Sequence, residues 1–310
     1  MSMDPEFQAI LDVVNALPQP DFTKPPIELA GAMRATPVKI PPLCHAVSVE
    51  VRAVSSPEGH AIPVRIYRPS TTGPHPVLIS FHGGGWVRGS LDGDEFRSHF
   101  LAHESECAVV SVDYRLAPEH PYPAPLSDCL AVTEWASSQA ETLGFDGQRI
   151  GVAGDSAGAN LATAVALKLR NSGAPKLKCQ ILVYPVCDHD FERPSYLENA
   201  DGKLLTRAFM MWCWDQYAGN ADRNLPSLSP LRSTDLSGMP PTLLLTAEHD
   251  PLRDEGEAYA QALARAGNVV KAERLGGLIH AFQSLLPLHS RSIDSFRLAA
   301  AFAREQLHGL

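Results

Sequence analysis

The stretch RIGVAGDSAGANLATAVALKL, residues 149–169, changes character at its middle. Residues 149–153 read as a short apolar strand, and residues 157–169, rich in Ala and Leu, read as a helix. Between them lies Gly154-Asp155-Ser156-Ala157-Gly158, a G-x-S-x-G pentapeptide. Composition alone would produce that pattern in a chain this long roughly one time in ten, so its weight comes from the flanks. A sharp strand-to-helix turn strains the serine backbone and packs neighbouring backbones too closely for side chains, which two glycines permit. It also sets the hydroxyl at a helix N-terminus, where the dipole favours developing negative charge. Ser156 is the candidate nucleophile, and the bland alternative is a Gly-rich helix start capped by serine.

A serine used this way needs an oxyanion site, a base and a carboxylate that orients the base. Upstream, the apolar run 76–81 leads into His82-Gly83-Gly84-Gly85-Trp86. Glycines there let backbone N–H groups approach a developing oxyanion, so Gly83 and Gly84, with the N–H of Ala157, form the candidate oxyanion hole. No Gly-Lys-Ser/Thr follows, which disfavours a phosphate loop. His82 reads as a hydrogen-bonding residue that shapes the loop. Downstream, the run 242–246 ends in Ala247-Glu248-His249-Asp250-Pro251. Asp250 is the candidate acid, Glu248 the alternative, and Asp254 is expected to begin the next helix. The run 269–275 precedes Gly276-Gly277-Leu278-Ile279-His280, and His280 is the candidate base; His289 and His308 fall in the expected terminal helix.

The rest of the chain fits these placements. Short apolar runs at 76–81, 107–112, 150–153, 179–184, 242–246 and 269–275 suit strands buried on both faces of a parallel sheet. Helical patterns lie near 95–105, 124–142, 157–172, 253–267 and 288–307, so the alternation implies one α/β domain of three layers. Before them, alternating Val47, Val49, Val51 and Ile62, Val64, Ile66 suggest two antiparallel strands joined near Pro57-Glu58-Gly59. Residues 4–17 read as an amphipathic helix with Asp4 as cap, and a Pro-rich connector runs to Pro42. The interval 188–238 breaks the alternation, is rich in aromatics, and reads as an insertion over one end of the sheet.

The 310 residues are 45% hydrophobic and 20% charged, enough to bury a core without disulfides or metals. Net charge is −9 with no Lys/Arg cluster, which argues against nucleic acid or an anionic membrane as a partner. No run approaches the roughly 18 apolar residues of a membrane span, and no basic segment followed by an apolar core opens the chain. The cysteines (44, 107, 129, 179, 187, 213) form no C-x-x-C pair; reduced thiols in a cytoplasmic protein are expected.

Taken in order, His82-Gly83-Gly84-Gly85-Trp86, Asp113-Tyr114-Arg115-Leu116-Ala117-Pro118-Glu119, Gly154-Asp155-Ser156-Ala157-Gly158, Asp250-Pro251-Leu252-Arg253-Asp254 and Ile279-His280-Ala281-Phe282 resemble the bacterial hormone-sensitive-lipase-like esterases (family IV carboxylesterases). The likeness runs from about residue 40 to the end, and Asp155 resembles the subgroup with aspartate before the nucleophile. It implies an α/β-hydrolase fold with a mostly parallel eight-stranded sheet. Residues 43–187 and 239–310 would form the catalytic domain, beneath a helical cap built from 1–42 and 188–238. It further implies short- to medium-chain acyl esters as substrates, an acyl-enzyme intermediate, no metal or other cofactor, and frequent homodimers. Ala281 departs from the glycine often found there. Arg115 and Glu119 read as residues that hold loops under the site. Trp86, Asp155, Tyr184, Phe209, Trp212 and Trp214 are candidate substrate contacts, although aromatics at helical spacing equally serve as core. An amidase or peptidase would use the same triad, and a non-catalytic binder on this scaffold would be expected to lack His280.

Overall fold

The computed structural model describes residues 2–36, 41, 47–172 and 176–309. The chain opens with helices α1 (Pro5–Asn15) and α2 (Pro26–Arg34), then an antiparallel hairpin of β1 (Val47–Ser55) and β2 (Ala61–Pro69). Strand and helix then alternate: β3 (His75–Phe81), α3 (Glu95–Ser105), β4 (Ala108–Val112), α4 (Ala124–Ser138), α5 (Ala140–Leu143), β5 (Phe145–Asp155), α6 (Ala157–Ser172) and β6 (Cys179–Val183). Two helices follow, α7 (Pro194–Glu198) and α8 (Arg207–Ala218), before β7 (Thr242–His249), α9 (Arg253–Arg265), β8 (Val270–Ile279), α10 (Phe282–Leu285) and α11 (Ser290–His308).

The eight strands form one sheet in the order β1-β2-β4-β3-β5-β6-β7-β8. Pairings are parallel from β4 to β8 and antiparallel only at β1–β2 and β2–β4. Side chains alternate across the sheet, and both faces are covered. Val77, Ile79 and Phe81 pack with Val110, Val152, Leu161 and Val165 on one face. Leu78, Val109, Ala153, Leu243 and Leu245 pack with Leu101, Phe302 and Ala303 on the other. This is why the central strands read as unbroken apolar runs. On the edge strand β1 the alternation separates solvent from core: Val49 and Val51 are exposed and Val54 is buried.

The first helix is capped as expected, with the Asp4 carboxylate accepting from Glu6 N–H and Pro5 in the first turn. Phe7 and Leu11 are its buried residues, and the Asp4 N–H donates to Gly277 O, tying the N-terminus to β8. Helix α2 lies inside the Pro-rich connector, where the sequence pattern suggested no element. Pro26 supplies its first turn, and it is held from outside: Leu29 and Ala30 are buried, and the Arg34 guanidinium donates to Val87 O, Ala117 O and Glu119. The N-terminal segment meets the 188–238 interval directly. Phe22 packs on Phe209 and Trp212 of α8, and the Asn15 amide donates to Gly202 O. Among the described residues no helix is long and apolar enough to cross a membrane. Cys107, Cys129, Cys179, Cys187 and Cys213 are free and buried; Cys44 lies outside the described residues.

Candidate active site

Four chain segments converge at the C-terminal edge of the sheet, where open α/β sheets bind ligands. Ser156 stands at the turn between β5 and α6, Asp250 follows β7 directly, and His280 follows β8 directly. The Ser156 hydroxyl lies 3.0 Å from His280 Nε2, and His280 Nδ1 lies 2.8 Å from Asp250 Oδ2. A carboxylate only accepts, so Nδ1 carries the proton and Nε2 presents its lone pair to the serine. Asp250 is fully buried and its other oxygen accepts from Leu252 N–H at 2.9 Å. Glu248, the alternative acid, instead accepts from Gly277 N–H, and Asp254 accepts from Ser195 N–H in the first turn of α9.

The backbone around these residues is strained in the way the sequence motif requires. Ser156 has φ 53°, and its N–H is held by Val183 O at 2.9 Å. A Cβ on Gly158 would lie 2.0 Å from Phe81 O, and one on Gly154 would lie 2.3 Å from the Gly158 carbonyl carbon. The start of α6 therefore sits against the end of β3 and the residue that opens the glycine loop, His82. Of the six non-glycine residues described with positive φ, four belong to this edge: Trp86, Ser156, Tyr184 and Ala281. Such conformations persist only where the surroundings over-determine them, and they cluster at functional sites. Ala281, with φ 59°, occupies the left-handed region that glycine enters without cost.

Beneath the glycine loop lies a buried ion network. The Arg97 guanidinium pairs with Asp155 and, at 2.6 Å, with Asp94, and also donates to Ser80 Oγ and Phe81 O. Burial opposes its charge, but Asp155 and Asp94 more than offset that and hold it above its usual value. Asp94 further accepts from the hydroxyls of Ser80, Ser98 and Ser111. The second Asp155 oxygen lies 2.4 Å from where a Cβ on Gly83 would stand, so the loop rests on this carboxylate. His82 stacks on Tyr114 with centroids 4.3 Å apart, its Nδ1 lies 2.8 Å from Gly83 O, and the Tyr114 hydroxyl donates to His82 O.

A cavity of about 720 Å³ opens onto Ser156 and His280 and is lined by Gly83, Gly84, Asp155 and Phe209 among others. Four expected substrate contacts fall outside its lining. Trp86 stacks on Tyr217 at 4.2 Å and meets Trp214 edge-on at 5.2 Å, so these rings bury one another beneath α8. Trp212 is buried against Phe22 and Phe209. Tyr184 is fully buried, with its ring 4.6 Å from that of His280; burial first, and Asp155 second, push its phenol well above the usual value, so it stays neutral. Sequence reasoning missed Phe96, Leu204, Leu205 and Met210, which do line the cavity. Leu204 and Leu205 flank the aromatic signal without belonging to it.

A second Ser–His–Asp chain elsewhere shows what a hydrogen-bond sequence alone does not decide. Ser56 Oγ lies 2.8 Å from His60 Nδ1, whose Nε2 lies 2.9 Å from Asp128. There the serine oxygen also accepts the Glu58 and His60 N–H groups in the β1–β2 turn, and Arg115 clamps Asp128 with three guanidinium contacts and its backbone N–H. That serine is a turn residue; Ser156 has the positive φ, the helix N-terminus and the cavity.

A family model described as the alpha/beta hydrolase fold matches residues 78–284. The carboxylesterase NlhH of Mycobacterium tuberculosis is 37% identical over 312 residues, covering 99% of this chain and 97% of that protein. An ethyl acetate hydrolase of Pseudomonas putida is 37% identical over 303 residues, covering 92% and 93% of the two chains. Among solved structures, a thermostable esterase from Pseudomonas putida superimposes with a TM-score of 0.91 at 36% identity, covering 99% and 98%. A hyperthermophilic esterase from the archaeon Pyrobaculum calidifontis does so with a TM-score of 0.88 at 34% identity, covering 98% and 99%.

Proposed function

The chain belongs to the α/β-hydrolase fold family and is a carboxylic ester hydrolase; from that premise we propose that Ser156, His280 and Asp250 are its catalytic triad, with Gly83, Gly84 and Ala157 as oxyanion donors. What carries this reading is the buried chain of hydrogen bonds from Asp250 through His280 to Ser156, opening on one cavity.

His280 Nε2 takes the Ser156 proton as Oγ attacks the ester carbonyl, and Asp250 stabilises the imidazolium that forms. The carbonyl oxygen becomes an oxyanion, held by the N–H groups of Gly83, Gly84 and Ala157; one such donor is worth roughly 3 kcal/mol in the transition state. The C–O bond to the alcohol then breaks, with His280 returning its proton to the leaving oxygen. Water, deprotonated by His280, attacks the acyl-Ser156 ester in the same geometry; the acyl C–Oγ bond breaks as His280 returns that proton to Ser156 Oγ, and the acid is released. Tyr184, packed on the imidazole, limits its rotation.

The helices of residues 1–42 and 188–238 act as a cap on this reading, because the contacts of Phe22 and Asn15 join them over the site. Phe209, Leu205 and Met210 bring apolar surface from the second of these segments to a cavity of a size that suits short- to medium-chain acyl groups. The test is hydrolysis of p-nitrophenyl acetate, butyrate and octanoate alongside the matched anilides. Esters are expected to react at least about a hundredfold faster, with the optimum at the shorter chains. Faster turnover of the anilides would replace this reading with an amidase.

A further inference from the structure

Among the described residues, six of fixed charge line the cavity: Arg34, Arg88, Asp92, Asp94, Arg97 and Asp155. Five are matched. Arg34 pairs with Glu119 at 2.8 Å, Asp92 with Arg65 at 2.8 Å, and Arg97 with both Asp94 and Asp155. Arg88 has no carboxylate partner among the described residues, and the undescribed positions contain no Asp or Glu.

Arg88 is an exposed residue at the cavity wall, anchored through its main chain. Its N–H donates to Gly84 O at 3.1 Å, and its Cγ lies 3.0 Å from where a Cβ on Gly84 would stand. Its guanidinium carbon sits 5.7 Å from the centroid of Phe209, itself in the cavity wall. The side chain therefore runs from the glycine loop to α8. Packing on an aromatic face orients a guanidinium without neutralising it and leaves its N–H fork open. A planar fork of that kind matches a carboxylate, and the chain as a whole, at net charge −9, offers an anionic substrate no general attraction.

We propose that Arg88 is a specificity-determining residue that selects esters carrying a free carboxylate, which it binds while Ser156 attacks the ester carbonyl. The proposal rests on Ser156 as nucleophile. Two substrate pairs test it, each comparing an acid with its neutral amide. One pair, p-nitrophenyl hydrogen glutarate and its terminal amide, puts the carboxylate on the acyl limb. The other, 4-acetoxybenzoate and 4-acetoxybenzamide, puts it on the alcohol limb.

The readout is the ratio of kcat/KM for acid over amide in wild type, R88K, R88Q and R88E. In at least one pair the ratio is expected to fall about three- to tenfold in R88Q, mostly through KM, and further in R88E, while R88K keeps most of it. The responding pair identifies the limb. Salt at 0.5 M should lower the wild-type ratio and leave that of R88Q unchanged. Ratios within twofold of wild type in both pairs, for R88Q and R88E alike, overturn the proposal. A folded wild type that turns over neither amide control would instead fault the esterase reading.

Discussion

Removing the Arg97 guanidinium should unfasten the floor of the site. Arg97, Asp94 and Asp155 are all buried, and this cation bridges the residue before Ser156 to the strand that leads into the glycine loop. The Arg97→Met substitution fills much of the same volume but leaves two carboxylates without their counter-charge. Breaking a buried pair by deleting one partner costs about 3–5 kcal/mol. Asp94 retains the hydroxyls of Ser80, Ser98 and Ser111, which places the cost near the lower end, about 3 kcal/mol. For a chain this long, about 2 °C of melting temperature is lost per kcal/mol, so a fall of about 6 °C is expected. The assay is thermal unfolding followed by circular dichroism, with Arg97→Lys as the charge-preserving control. Asp155→Asn should be less harmful in the Arg97→Met background than in wild type, by about 1 kcal/mol or more of coupling. A melting temperature for Arg97→Met within 1 °C of wild type, or strict additivity in the cycle, would refute the argument.

Three further outcomes follow from other contacts. Glu255 is buried on α9 and accepts from Cys187 N–H at 2.7 Å; burial pushes its carboxyl well above the usual range. A raised folded value contributes stability that is complete below the unfolded value of about 4.3 and is lost as pH rises through the folded one, so Glu255→Gln should gain on wild type in melting temperature from pH 5 to 9, and a constant gap would count against this. Gly158→Ala drives a Cβ to 2.0 Å from Phe81 O and 2.5 Å from His82 O. It should cost about 3 kcal/mol in denaturant unfolding as the helix shifts away from β3, and full retention of stability would contradict the close packing. Phe209→Ala should move the acyl-length optimum toward longer chains in an ester series, whereas Trp86→Phe should lower the melting temperature without moving that optimum; a shift with Trp86→Phe would return that ring to the cavity.

The legible parts of this molecule were those written as local punctuation. Gly154 and Gly158 around Ser156, the three glycines after Phe81, and Asp250 and His280 just past apolar runs are features of a few consecutive residues, and the structure brings them together. Tertiary partnership was not legible. Nothing near Trp86 tells that its ring meets Tyr217 across the molecule rather than a substrate, because an aromatic side chain reads alike in a core and in a pocket. The pairing of Arg97 with Asp155 and the packing of Arg88 on Phe209 were equally invisible, since both depend on chain segments far apart in sequence. Helix α2 escaped for a related reason: its prolines read as a linker, and it is held by Arg34 reaching Val87, Ala117 and Glu119.

The most direct test of the account is covalent trapping. Wild type and Ser156→Ala, both verified as folded, would be incubated with a p-nitrophenyl alkylphosphonate, and the protein digested and weighed by mass spectrometry. The account requires one phosphonyl group per wild-type chain, on Ser156, with complete loss of ester hydrolysis, and neither adduct nor turnover in the alanine variant. An adduct on another residue such as Ser56, or ester hydrolysis surviving in Ser156→Ala, would contradict it.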